Sequence, residues 1–244
     1  MQTHVFQNAQ QVGQATATLI AAQLLRKPDS ILGLATGSSP IPTYEALIRM
    51  HEEGVLDFSR AVSFNLDEYV GLTPDHPCSY HYFMQEHLFS RVNICPENVH
   101  IPDGSAQDIA EAARAYDAAI LAAGGIDLQL LGIGRNGHIG FNEPGEHFVY
   151  GCHKVQLSGS TIAANTRFFE SEDDVPRYAV SLGIGSIMQA RQVLLIATGE
   201  DKAEAVRRAL EGDVSPLWQA SILRTHPDVV FLLDEAAASR LSRR

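Results

Sequence analysis

Ile31-Leu32-Gly33-Leu34-Ala35-Thr36-Gly37-Ser38-Ser39-Pro40 is an apolar run that breaks into hydroxyls, a glycine and a proline. Residues 31–35 read as a short buried strand. Residues 40–53 carry Tyr44, Leu47 and Ile48 at helical spacing, and Gly54 lies past their end. In this reading Ser39 is the N-cap and Pro40 the first helical residue. The unit recurs along the chain. Residues 61–66 end in Asp67-Glu68-Tyr69, residues 126–131 in Gly132-Ile133-Gly134, and residues 193–197 in Thr198-Gly199-Glu200-Asp201-Lys202. Residues 229–233 run into Asp234, expected to cap a short terminal helix. Residues 99–101 are a further short strand. Helices are expected over residues 8–25, 79–89 and 106–123, and from Lys202 to about Leu210. The stripe of the third of these is Ile109, Ala112, Tyr116, Ala119 and Ile120. Residues 160–169 read as a short helix or a mobile segment. Short apolar strands alternating with helices predict burial on both strand faces. The expected fold is α/β: a single doubly wound Rossmann-like domain over 1–244, with a mostly parallel central sheet and helices on both faces. Ligands of such folds bind beyond the C-terminal strand ends, where the polar clusters fall.

The composition narrows the partners. The chain has 244 residues, 45% of them hydrophobic, and 18 basic against 29 acidic side chains give a net charge of -11. That balance excludes disorder and argues against a nucleic-acid binder. It first argues against an anionic substrate as well, but net charge says little about one pocket. Cys78, Cys95 and Cys152 are far apart, which suits packing thiols in a reducing compartment. Met1-Gln2-Thr3-His4 lacks a signal-peptide pattern, and no apolar run approaches the ~20 residues of a membrane span. A soluble cytoplasmic protein is expected, with no nucleic-acid or membrane partner.

The clusters suggest chemistry. Gly132-Ile133-Gly134-Arg135-Asn136-Gly137 has GxGxxG spacing, but His138, Gly140, Asn142 and Pro144 break the helix that a dinucleotide site needs. Thr36-Gly37-Ser38-Ser39 at a helix start is either an ordinary cap or an anion cradle. Lysines number three, Lys27, Lys154 and Lys202. Lys202 falls in a first helical turn, where the dipole disfavours a cation. It either pairs with Glu200 or Asp201 or awaits an anion. Arg167 is a cation between apolar neighbours, as snorkelling arginines often are. Asp67-Glu68 is either a solvated strand end or a desolvated general base, and His138 with Glu143 is a candidate proton-transfer pair.

Leu34-Ala35-Thr36-Gly37-Ser38-Ser39-Pro40, Phe64-Asn65-Leu66-Asp67-Glu68-Tyr69, the stretch from Gly132 to Pro144, and Asn165-Thr166-Arg167-Phe168-Phe169 together resemble the glucosamine-6-phosphate deaminase family. The related 6-phosphogluconolactonases typically carry Gly-His-Thr-Ala-Ser-Leu-Phe-Pro where this chain has Gly-His-Ile-Gly-Phe-Asn-Glu-Pro, and they lack Asp-Glu-Tyr. The resemblance implies conversion of glucosamine 6-phosphate and water to fructose 6-phosphate and ammonia, with no metal or organic cofactor. It implies that His138 moves the proton that opens the pyranose ring, held by Glu143 and Asn136. It implies that Asp67 carries a proton from C2 to C1, and that Thr36, Gly37, Ser38, Ser39, Arg167 and Lys202 hold the phosphate. Glu68 would only shape the site. A lid is implied over residues 157–177. Asn136 departs from the family, many of whose members have Asp there, so Glu143 alone would charge the His138 pair. Allosteric hexameric members of that family bind N-acetylglucosamine 6-phosphate through basic residues after the Phe-Asn-Glu-Pro stretch and tend to have longer tails. His153-Lys154-Val155-Gln156 and a chain ending soon after its last strand therefore predict a non-allosteric monomer or small homo-oligomer. The competing readings are a sugar-phosphate lactonase and a non-catalytic sugar-phosphate sensor.

Overall fold

Apolar strand pairs with apolar strand, and the polar segments between them turn back at the rim. The computed structural model describes residues 1–242. The chain runs β1 (Gln2–Phe6), α1 (Ala9–Arg26), β2 (Ile31–Leu34), α2 (Ile41–Glu52), β3 (Val62–Asn65), β4 (Asp67–Tyr69), α3 (Tyr80–His87), β5 (Val99–His100) and α4 (Ile109–Ala123). It continues through β6 (Leu128–Leu131), β7 (His153–Gln156), α5 (Gly159–Asn165), β8 (Tyr178–Ser181), α6 (Ile184–Met188), β9 (Gln192–Ala197), α7 (Ala203–Glu211) and β10 (Val229–Asp234). Seven strands form one sheet in the order β1-β10-β9-β6-β2-β3-β5, and each neighbouring pair is parallel. Every residue of β2, β6 and β10 is buried, so the sheet is covered on both faces.

Local chemistry sets the helix ends. Asn8 caps α1 by accepting from the Gln11 N–H at 3.0 Å, and Asp108 caps α4 through the Glu111 N–H at 3.0 Å. Gly124 closes α4 at φ 104°, a left-handed position suited to glycine. The buried stripe of α4 is Ala113, Tyr116 and Ile120; Ala119, expected inside, is exposed. Asp127, just before β6, clamps the far end of the sheet. Its carboxylate accepts from the Ile31 N–H at 2.8 Å, from Lys27 at 2.7 Å and from Arg191 at 3.0 Å. Lys27 is thereby a structural cation.

Other features depart from expectation. Ser39 is not the N-cap of α2: the Pro40 carbonyl accepts from Thr43 and Tyr44, and α2 begins at Ile41. No regular helix follows β10 within the described residues. Asp234 accepts from the Ala237 N–H at 2.7 Å in a segment of turns, and it also accepts from the Gly199 N–H. The main surprise is a second sheet, order β4-β8-β7, with antiparallel pairs. The chain passes into it at Leu66, whose N–H bonds Leu34 of the large sheet and whose carbonyl accepts from Leu182 beyond β8. Asp67 and Glu68 are therefore not a loose strand end. They begin a strand of the small sheet.

The chain steps outward from β2 to β3 and β5, then returns to place β6 on the other side of β2. That reversal is the switch point where doubly wound folds open a crevice. Here it sets the loop at 35–40 beside the loop at 132–143.

Candidate active site

Loops from four neighbouring strands, β9, β6, β2 and β3, open into one cavity of about 930 Å3. Each sequence-predicted site residue except Glu143 lines it directly, and Glu143 stands behind His138.

One end of the cavity is built for an anion. Thr36, Gly37, Ser38 and Ser39 turn from β2 towards α2, with Gly37 at φ 94°. Among the described residues the N–H groups of Gly37, Ser38 and Ser39 meet no protein acceptor. Arg167 reaches across from α5's end to donate to Ser38 Oγ at 3.3 Å, so it is not merely a snorkelling side chain. Lys202 lies at the start of α7 and, among the described residues, makes no ion pair; Asp201 binds Arg135 instead, at 2.7 Å. Burial pushes the Lys202 ammonium below its ordinary range; Asp201 offsets part of this, and Arg135 and Arg167 add to it. The other two lysines have partners: Lys27 pairs with Asp127, and Lys154 lies 4.4 Å over the Tyr178 ring.

The floor carries the acids. Asp67 is 6% exposed, and among the described residues no donor bonds its carboxylate. Burial, with the neighbouring charge of Glu68, pushes it up to about 8. Glu68 differs although it is adjacent. Its Oε1 accepts from the Tyr69 and Tyr80 N–H groups at 2.8 and 2.9 Å, and its Oε2 from the His81 N–H at 2.9 Å. Burial raises Glu68 as well, and those three bonds oppose the rise. Glu68 thus ties the first turn of α3 to the floor, where the helix dipole favours a carboxylate.

The loop after β6 holds His138. The Gly134 N–H bonds the His138 carbonyl at 2.9 Å, and the ring lies so close to Gly134 that a Cβ there would stand 2.5 Å from Nε2. This contact is what the second glycine of GIGxxG provides here, whereas Gly132 faces open space. Gly140, at φ 57°, brings the same loop over the floor: its Cβ would stand 3.6 Å from Asp67 Oδ2. His138 Nδ1 faces Glu143 Oε2 at 3.6 Å, an ion-pair distance. Asn136 does not bond the ring. Its Nδ2 donates to the same Oε2 at 2.7 Å, and its Oδ1 accepts from the His138 N–H at 3.3 Å. Burial works to raise Glu143, but His138, Thr161 and the Ser158 N–H together pull it down to about 2.

Residues between Ser160 and Phe169, within the segment 157–177, line another side of the cavity. Tyr69, Phe141, Leu157, Ile162 and Val175 form a small core under this segment, apart from the main one. Asn165 donates to the Tyr69 hydroxyl at 2.9 Å, and the Cys78 thiol donates to the Phe168 carbonyl at 3.0 Å. Three polar participants were given no role from sequence: Arg135, Tyr69 and Tyr80. Arg135 carried a signal as a charged residue in a glycine-rich loop at a strand end, and Tyr69 as the last residue of Asp-Glu-Tyr. Among the described residues no group of three or more His, Cys, Asp or Glu side chains could hold a metal ion. None of the described helices is long and apolar enough to cross a membrane.

Comparison with known proteins follows the same lines. Residues 5–231 match the family described as glucosamine-6-phosphate isomerases/6-phosphogluconolactonase. A protein of Thermoanaerobacter pseudethanolicus named glucosamine-6-phosphate deaminase is 50% identical over 232 residues, covering 95% of this chain and 92% of that one. A solved structure described as a monomeric glucosamine-6-phosphate deaminase superposes with a TM-score of 0.96 at 44% identity, over 98% of this chain and 99% of that one. A 6-phosphogluconolactonase from Trypanosoma cruzi shares the fold, with a TM-score of 0.79, 21% identity, and coverage of 99% of this chain and 97% of that one. With half its residues shared along nearly the whole length, this chain belongs to the glucosamine-6-phosphate deaminase family.

Proposed function

We propose that the cavity converts glucosamine 6-phosphate and water to fructose 6-phosphate and ammonia, with the substrate's phosphate at the cationic end and its C1–C2 bond over Asp67. The observation that carries this reading is Asp67 itself: a buried carboxylate without a donor among the described residues, in a cavity shared with His138, which Glu143 backs, and an anion cradle.

Each role follows from its surroundings. The phosphate accepts from the free N–H groups of 37–39 and the hydroxyls of Thr36, Ser38 and Ser39, and it pairs with Arg167 and Lys202. His138, with Glu143 fully ionised beside it, takes the C1 hydroxyl proton and delivers a proton to the ring oxygen, giving the open aldehyde. Asn136 steadies Glu143 and the His138 backbone without bonding the ring. Asp67 then removes the C2 proton while the C1 oxygen takes one from the C2 ammonium, which leaves an enolamine with a neutral amine. Returning the proton to C1 makes a C2 iminium, and water adds there and expels ammonia. The same carboxylate gives back what it took, so proton count and charge close without redox change. An empty Asp67 is largely protonated at neutral pH. The substrate's C2 ammonium supplies the opposite charge that ionises it.

The segment 157–177 is read as a lid of a single domain, closing over bound sugar phosphate and excluding water. A non-allosteric monomer or small homo-oligomer, working in the cytoplasm without metal or organic cofactor, completes the proposal. The test is ammonia release from glucosamine 6-phosphate by the wild type and by Asp67→Asn. Release that the substitution abolishes supports the reading. No release by the wild type, or hydrolysis of 6-phosphogluconolactone in its place, overturns it. Undiminished release by the variant removes Asp67 from its role.

A further inference from the structure

We propose that Arg135 is a third cation of the phosphate site, aimed into it by Asp201. This deepens the function proposed above and rests on it.

Arg135 and Asp201 leave different strands, β6 and β9, and both line the cavity. Their bridge uses only the Arg135 Nε, at 2.7 Å from Asp201 Oδ2. The two terminal nitrogens keep their N–H groups, in the fork that matches phosphate oxygens. The bridge itself is weak as a stability device, because its side chains are 64% and 42% exposed and solvent screens such pairs. Its surroundings are stranger. Arg135, Arg167 and Lys202 crowd together closely enough that both arginines weaken the hold of Lys202 on its proton. Against these three cations the only anion among the described residues that bonds or offsets them is Asp201. Three positive charges and one negative leave a surplus of two, the charge of a phosphate monoester dianion. Asp201 fixes the guanidinium by its inner nitrogen while leaving its outer face for the ligand. The same loop holds its shape through the Gly134–His138 backbone bond, so losing Arg135 should spare the catalytic pair.

The experiment titrates inorganic phosphate into wild type, Arg135→Ala, Arg135→Lys and Asp201→Asn by calorimetry, alongside steady-state ammonia release. Arg135→Ala is expected to weaken phosphate about tenfold, or ~1.4 kcal/mol. It should raise KM for glucosamine 6-phosphate by a similar factor, with kcat within about threefold. Arg135→Lys should recover part of the loss, because charge survives while the fork does not. Asp201→Asn should weaken phosphate less than Arg135→Ala, since the cation remains but is no longer aimed. Unchanged phosphate affinity and KM in Arg135→Ala would overturn the proposal and reduce the bridge to a loop staple. Tighter phosphate binding by Asp201→Asn would overturn the aiming role. Arg135-dependent phosphate binding in a wild type that releases no ammonia would sink the function and leave this site standing.

Discussion

Replacing Asp67 by asparagine should abolish ammonia release and at the same time make the protein more stable at high pH. The carboxylate is pushed up to about 8 in the folded protein, against 3.8 for an unhindered Asp. Between those values the folded chain holds a proton that the unfolded chain has lost. Stability therefore falls as pH rises through this window, with the group's contribution fully unfavourable only above about pH 8. At one pKa unit per ~1.36 kcal/mol, the shift amounts to ~5–6 kcal/mol above the window and ~4 kcal/mol at pH 7. Water drawn into the cavity relieves part of this, so a gain of ~2–4 kcal/mol at pH 8 is the expected reading for Asp67→Asn. The gain should shrink as pH falls towards 4 and vanish below it, where both states hold the proton. The assay is urea unfolding of wild type and variant across that pH range. A stability difference that does not change with pH, or a variant less stable at every pH, would refute the claim that Asp67 is a strained, unsolvated base.

Three further outcomes test the neighbouring assignments. Glu143→Gln should lower kcat by ~10–100-fold and move the acid limb of the pH–rate profile, because the charge facing His138 is gone; an unchanged profile would dissolve the pair. Tyr69→Phe deletes the 2.9 Å bond to Asn165 in the proposed lid, a loss of ~0.5–1.5 kcal/mol. KM should rise a few-fold, and amide exchange over 157–177 should quicken; exchange at the wild-type rate would show that this bond does not hold the lid. Saturation by glucosamine 6-phosphate should be hyperbolic with or without N-acetylglucosamine 6-phosphate. Sigmoidal kinetics that this effector abolishes would refute the non-allosteric reading.

Some residues announced their place and others could not. The strands at 31–35, 126–131, 193–197 and 229–233 were legible because parallel strands buried on both faces are largely apolar, even where Asp127 and Gln129 interrupt the second. The small sheet was not. In β7, His153, Val155 and their neighbours alternate between half-buried and exposed, and the segment is as polar as a loop. β1 is likewise mostly exposed. Such strands are defined by their partners, and pairing across dozens of residues leaves no local trace. Ser39 was misplaced as a cap for a related reason: hydroxyls suit both caps and anion cradles, and only the backbone trajectory chooses.

Residue chemistry is local, and so the sequence by itself determined the kinds of groups present: an acid pair after one strand, a histidine loop after another, hydroxyls at a helix start, a scarce lysine at a second. Three-dimensional neighbours decided what each group does. Asp67 and Glu68 are adjacent in the chain, yet three N–H groups from β4 and α3 hold Glu68 and none reaches Asp67. Lys27 found Asp127, while Lys202 was left facing two arginines. Asn136 turned to Glu143 and not to the His138 ring. Basicity and charge pairing depend on desolvation and on distances set by strand order, and placing β6 beside β2 is a property of the whole sheet.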